Sequence, residues 1–177
     1  FSYRSEGPLD MRFDQSNGSG AGKLIDQADQ DSLAQIFKEY GEERLASRIA
    51  KSIKEMTDMN TIPDLREAIR RCTPPNHRDR TFARIFQALR IAVNGELDIL
   101  QQFLTKFIDF LHPGGRIVII SYHSLEDRLV KHSFKELASG GTLDILTKRP
   151  ITAAAEERRI NRRAGSAKLR AAVKMAL

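Results

Sequence analysis

Cysteine is almost missing from this 177-residue chain: Cys72 stands alone, so an intrachain disulfide is excluded and with it any small disulfide-stapled fold. The lone thiol fits a reducing compartment and is read as a structural residue, not a nucleophile. Long hydrophobic runs are missing too. Nothing approaches the roughly 18 consecutive apolar residues that span a bilayer, and Phe1-Ser2-Tyr3-Arg4 lacks the charged-then-apolar order of a secretion signal. A soluble, cytoplasmic protein with no membrane partner is expected. No internal repeat or heptad is found. His77, His112, His123 and His132 show no metal-ligand spacing with Cys or Glu, so no metal is expected. The chain does not open on Met, and residues 1–14 read as the middle of something longer.

What is present is enough apolar material, 41% of residues, for one sizeable core and one or two domains. The net charge of +6 is concentrated at one end. From Lys148 onward there are nine Lys or Arg against two Glu, a net of +7, which leaves 20 basic and 21 acidic residues before it. Such a basic stretch suits a polyanion, because neutralising phosphates releases their counterions.

Along the chain, residues 7–12 read as a turn and residues 16–22 as a mobile Gly/Ser loop. Helical spacing begins at Asp31 with Leu33, Ile36, Phe37 and Tyr40 on one face and Gly41 as its stop. Leu45, Ile49 and Ile53 carry a second helix. A third opens on Thr61 as N-cap with Pro63 in its first turn, and stops at Pro74-Pro75. Residues 81–94 and 96–111 carry two more apolar-faced helices. The period then changes: after His112-Pro113-Gly114-Gly115, the β-branched run 116–121 predicts a strand buried on both faces. A helix follows to Gly140-Gly141, and 143–146 and 168–175 are further strand candidates across a basic loop. The fold class expected is α/β.

The richest site candidate is Ser121-Tyr122-His123-Ser124-Leu125-Glu126-Asp127-Arg128, just past the C-terminal end of a buried strand, where open α/β sheets place their ligands. His123 and Asp127, four apart, are expected to face each other, with Asp127 fixing the imidazole tautomer or raising its pKa; the bland alternative is a local hydrogen bond with Ser124 as helix cap. A Ser-His-Asp hydrolase is excluded, because there is no Gly-x-Ser-x-Gly elbow and triads are assembled from distant segments. Thr73-Pro74-Pro75-Asn76 is superficially like the Asn/Asp-Pro-Pro-aromatic motif of amino-methyltransferases, but it follows a helix and ends in Asn, so it is read as a helix stop. The glycines at 18–22 are not a phosphate cradle, since no βαβ unit surrounds them. Gln87, Arg90 and Asn94 fall on one polar helix face, able to carry hydrogen bonds. In the tail, Arg163, Lys168 and Arg170 are candidate phosphate contacts that name a polyanion but no sequence.

Six blocks together resemble the RsmH (MraW) methyltransferases: FSYRSEGPLDMRFD at 1–14, EYGEER at 39–44, FQALRIAVN at 86–94, ISYHSLEDRLVK at 120–131, LTKRPI at 146–151 and NRRAGSAKLR at 161–170. Their order and spacing match along nearly the whole chain. The resemblance implies a class I, Rossmann-like methyltransferase with a seven-stranded, mostly parallel sheet and an inserted all-helical domain. It implies S-adenosylmethionine as cofactor, and as substrate the N(4) amine of a cytidine in small-subunit ribosomal RNA, free or in the assembled small subunit. Residues 1–30 would be a linker and the end of the first half of the sheet, 31–94 the helical substrate-recognition insertion, and 95–177 the second half.

The same resemblance assigns roles. Ser121, His123 and Ser124 would be catalytic at the base pocket, supported by Asp127 and Arg128. Gly7, Pro8, Asp10 and Arg12 would shape its rim, while Gln87, Arg90, Asn94, Arg163, Lys168 and Arg170 would contact the RNA. The cofactor-binding residues cannot be matched to this chain and are expected upstream of Phe1. A catalytically incompetent RNA-binding fragment is the alternative, and a helical interaction module without RNA a further one. A half-sheet with an exposed edge also invites self-association into a homodimer.

Overall fold

A computed structural model describes residues 2–176; Phe1 of the opening block and Leu177 at the end of the second half lie outside the described residues. The chain divides into two compact units, Phe1–Glu96 and Leu97–Leu177.

The first unit is helical. α1 (Ala21–Gln27), α2 (Gln30–Glu39), α3 (Ala46–Lys54), α4 (Ile62–Cys72) and α5 (Arg78–Asn94) wrap one core. Sequence signals fix their ends. Asp29 caps α2 by accepting from the Ser32 N–H, and Thr61 and Asp64 form a reciprocal capping box on α4, with Pro63 in the first turn. The apolar stripes then meet: Leu33, Phe37, Ile49, Ile53, Leu65, Ile69, Ile85 and Leu89 are fully buried, each stabilising the fold by about 1.5–3 kcal/mol. Gly41 lets α2 end against α5, since a Cβ there would lie 2.7 Å from the Phe37 carbonyl oxygen and 2.9 Å from that of Arg84.

Residues 16–22 are expected to be mobile, yet Ala21 already opens α1. The Ala21 N–H donates to the Asp10 carbonyl at 2.6 Å and the Gly22 N–H to that of Leu9 at 2.7 Å. Satisfying those backbone donors pins the loop.

The second unit is α/β. It contains most of α6 (Glu96–Lys106), a 3-10 turn at Phe107–Phe110, β1 (Arg116–Ser121), α7 (Ser124–Ser139), β2 (Leu143–Ile145), β3 (Ile151–Thr152), α8 (Ala155–Ile160), a 3-10 turn at Arg162–Ser166 and β4 (Lys168–Lys174). The strand order is β1-β4-β2, with β3 also on β4. β1 and β4 pair from Arg116 opposite Val173 to Ser121 opposite Lys168. Leu104, Phe107, Val130, Phe134, Leu143 and Ala172 form the core between this sheet and its helices. Among the described residues, no helix is long and apolar enough to cross a membrane.

The mostly parallel sheet that the resemblance implies is that of the whole seven-stranded fold; the strands described here pair antiparallel, as fits its C-terminal part. β1 and β2 run parallel to each other, joined through α7, and β4 lies between them, so no parallel pair is adjacent. One expectation for the sheet changes: β1 is buried on one face only. Ile117, Ile119 and Ser121 turn inward, while Val118 and Ile120 stay more than half exposed because the helices of this unit cover a single face.

Gly41→Ala is expected to cost about 1–3 kcal/mol by overpacking, whereas Gly165→Ala, with nothing within 4 Å of the added methyl, should be close to neutral. Urea unfolding of the two variants checks this; equal stability would remove the close approach of α2 to α5 from the account.

Candidate functional site

β1 ends at Ser121, which is 2% exposed and whose hydroxyl makes no hydrogen bond among the described residues. The chain stays extended through His123, at φ −140° and ψ 168°, and then enters α7. His123, not Ser124, is the N-cap. Its Nδ1 accepts from the Glu126 N–H at 3.4 Å, while the Glu126 carboxylate accepts from the N–H groups of Tyr122 at 2.8 Å and His123 at 3.3 Å. With Nδ1 as acceptor, the proton of a neutral imidazole sits on Nε2, 3.4 Å from Glu126 Oε1. The expected His123–Asp127 pairing is therefore corrected: an N-cap residue has left the helix, so the four-residue helical spacing does not apply to it.

Asp127 turns instead to β4. Arg170 donates to it through Nε at 2.7 Å and Nη2 at 3.2 Å, and Lys168 Nζ stands at 3.2 Å. Residues 168 and 170 alternate onto the sheet face that α7 covers, which is why one carboxylate meets both. Burial pushes the Asp127 carboxyl up, but the hydrogen bonds from Arg170 and Lys168 outweigh it and hold it below the usual carboxylate range. Arg170, 8% exposed, is thus not the open phosphate contact that its place in a basic tail suggests, and Lys168 is paired as well. Arg128 on α7 and Arg163 in the 3-10 turn remain exposed.

On the open side of the sheet lies a concavity of about 540 Å³, lined by Ile120, Tyr122, Glu157, Asn161, Arg163 and Ser166 among others. Tyr122 is 55% exposed. The sequence places it within the candidate stretch 121–128 but gives it no role of its own beside Ser121 and His123; the signal for one was the β alternation, which puts even positions opposite the buried face. Asn161 fixes Arg163 by accepting from its N–H at 3.1 Å.

The other candidates gather inside the helical unit. Gly7 and Leu9 hydrogen-bond along residues 60–62, with Pro8 bridged to Thr61. Asp10 and Arg12 form an ion pair at 2.7 Å, and Arg12 Nη1 also reaches the carbonyls of Gln15, Asn17 and Gly18. The Arg12 hydrogen bonds lower the Asp10 pKa to about 2. Asn94 holds the same loop, donating to the Met11 carbonyl and accepting from the Phe13 N–H, both at 2.8 Å. That bond helps keep Met11 at φ 64°, a left-handed conformation a buried side chain rarely adopts. Gln87 donates to the Tyr40 carbonyl and Arg90 forks onto Glu96 at 2.7 and 2.9 Å. Gln87, Arg90 and Asn94 thus hold their own unit together.

This is the architecture of the C-terminal part of an α/β methyltransferase. The chain belongs to the MraW methylase family, whose model matches residues 1–175. It is similar to proteins named ribosomal RNA small subunit methyltransferase H. That of Crocosphaera subtropica is 48% identical over 96% of this chain and 54% of its own length. That of Synechocystis is 49% identical over 99% and 57%, and that of Kosmotoga olearia 50% over 97% and 59%. The chain thus spans little more than half the length of these relatives.

Asp127→Ala leaves Arg170 buried without its counter-charge and is expected to cost about 3–5 kcal/mol, more than an Asp127→Leu, Arg170→Met double variant. Asp10 and Asp127 both titrate below their unfolded values, so the stability they add is complete above about pH 4 and falls as the pH drops through the folded values, for Asp10 toward about 2. Denaturant midpoints between pH 7 and pH 2 check both statements, and a pH-independent midpoint below 4 would contradict the second.

Proposed function

We propose that this chain forms the substrate-side part of an S-adenosylmethionine-dependent methyltransferase acting on the N(4) amine of a cytidine in small-subunit ribosomal RNA. The observation that carries the reading is the open pocket past β1, with an exposed aromatic ring, Tyr122, beside a cation, Arg163, in a chain of the MraW methylase family. A single-stranded base stacks on such a ring while a guanidinium holds the neighbouring phosphate. Residues 31–94 are read as the recognition insertion and 95–177 as the second half of the methyltransferase domain.

The amine of cytosine is a poor nucleophile because its lone pair is delocalised into the ring. Catalysis then rests on holding the flipped base in line with the methyl donor and on excluding other poses. In this chain the base would lie against Tyr122 and Ile120, with Arg163 and Arg128 on the backbone. Ser121, His123 and Ser124 form the turn that presents Tyr122, and the His123–Glu126 cap fixes it. His123 is therefore a positioning residue.

The methyl donor supplies a sulfonium methyl when bound. The described residues do not fit its adenosyl part, because the one glycine-rich stretch leads into the seven-residue α1 with no strand before it. Its cradle is assigned to the part of the relatives' length that this chain does not span. The same misfit favours a second reading, an RNA-binding piece that is inactive by itself.

Calorimetry with S-adenosylmethionine should give no heat with this chain and clear binding with a form extended N-terminally to the relatives' length; equal binding by both would overturn the assignment. In the extended form, His123→Ala should lower methylation at least about tenfold, and His123→Asn, which restores the cap, should recover most of it. Equal loss in both would give the imidazole a direct chemical role instead.

A further inference from the structure

The EYGEER block at 39–44 has no part in the pocket past β1, yet it builds another in the helical unit. Gly41 lets the chain turn tightly off α2, Glu42 takes φ 48°, and the Glu43 N–H closes the turn on the Phe37 carbonyl at 3.2 Å. This drives the Glu43 side chain inward to 3% exposure. Its Oε1 accepts from the Leu45 N–H at 3.0 Å, and its Oε2 lies 3.7 Å from Arg84 Nη1 with no hydrogen bond among the described residues.

Above that carboxylate opens a concavity of about 400 Å³. Arg44 lines it from the turn before α3 and Arg48 from the first turn of α3, Arg80 and Arg84 line it from the first turns of α5, and His77 is also in the lining. Arg80 and Arg84, four apart within α5, present two guanidiniums on one helix face, and Arg44 and Arg48 face the same concavity from the turn before α3 and from α3 itself. Four arginines against one glutamate leave the lining at +3 with His77 neutral. Arg44, Arg48 and Arg80 take part in no ion pair among the described residues. Like charges gathered around one concavity repel one another, and an anion placed among them relieves that repulsion. Guanidinium forks match the oxygens of a phosphate group in particular.

We propose that this concavity is a phosphate-binding site, in which Arg48 and Arg80 grip the anion from opposite helices while buried Glu43 orients Arg84. Taking RNA backbone as the source of the phosphate rests on the function proposed above; the phosphate chemistry does not. The site would anchor a nucleotide separate from the target base.

The test uses the full chain. Inorganic phosphate titrated by calorimetry is expected to bind, with at least about tenfold weaker binding in Arg48→Ala and in Arg80→Ala, and no change in Arg149→Ala, an equal loss of charge at an exposed position outside the lining. Circular dichroism establishes that each variant is folded. Single-stranded RNA binding measured against salt should then lose about 0.7 from its logarithmic slope for each phosphate contact removed. Phosphate binding that is absent, or unchanged in folded Arg48→Ala and Arg80→Ala, overturns the site. Phosphate binding lost in both variants while the RNA affinity and slope stay constant keeps the site, assigns it to a small phosphorylated ligand, and removes the RNA source alone.

Discussion

The second unit depends on one buried ion group. Asp127 on α7 takes two hydrogen bonds from Arg170 and one from Lys168 on β4. These contacts join the helix that follows β1 to the strand that pairs with it, so the intervening turn has little freedom. A carboxylate this buried would be costly without partners, and with them it specifies one arrangement of helix on sheet. The turn at 121–124, the cap of α7 and the placing of Tyr122 at the mouth of the pocket all follow from that constraint.

The helical unit has a counterpart in the loop at residues 7–13. Asp10, Arg12 and Asn94 satisfy its backbone groups and hold Met11 in a left-handed conformation. Residues expected to shape a substrate-facing rim also clamp this loop from within. The arginines left without such duties, Arg44, Arg48 and Arg80, gather in a different place.

Helix ends and strand positions were legible in the sequence because their causes are local. Asp64 three residues after Thr61, Pro63, the stop at Pro74-Pro75 and the β-branched run at 116–121 each carry a physical signal within a few residues. The family was legible from six ordered blocks. What escaped depended on contacts distant in the chain. The partner of Asp127 lies about forty residues on; the cap at His123, by contrast, had a local sign in Glu126 three residues later. That β1 is covered on one face only follows from how many helices pack there, which no six-residue window encodes. Tyr122 lay within the candidate stretch but received no role of its own because chemical reactivity drew attention to its neighbours, although alternation along the strand already placed it on the other face.

The central claim is that RNA meets this chain at the open pocket past β1. Ultraviolet crosslinking of small-subunit ribosomal RNA to the chain, with the adducts mapped by mass spectrometry, tests it most directly. The account predicts crosslinks at Tyr122 and in the peptide around Arg163. Crosslinks confined to other segments, with Tyr122 unmodified, would contradict it.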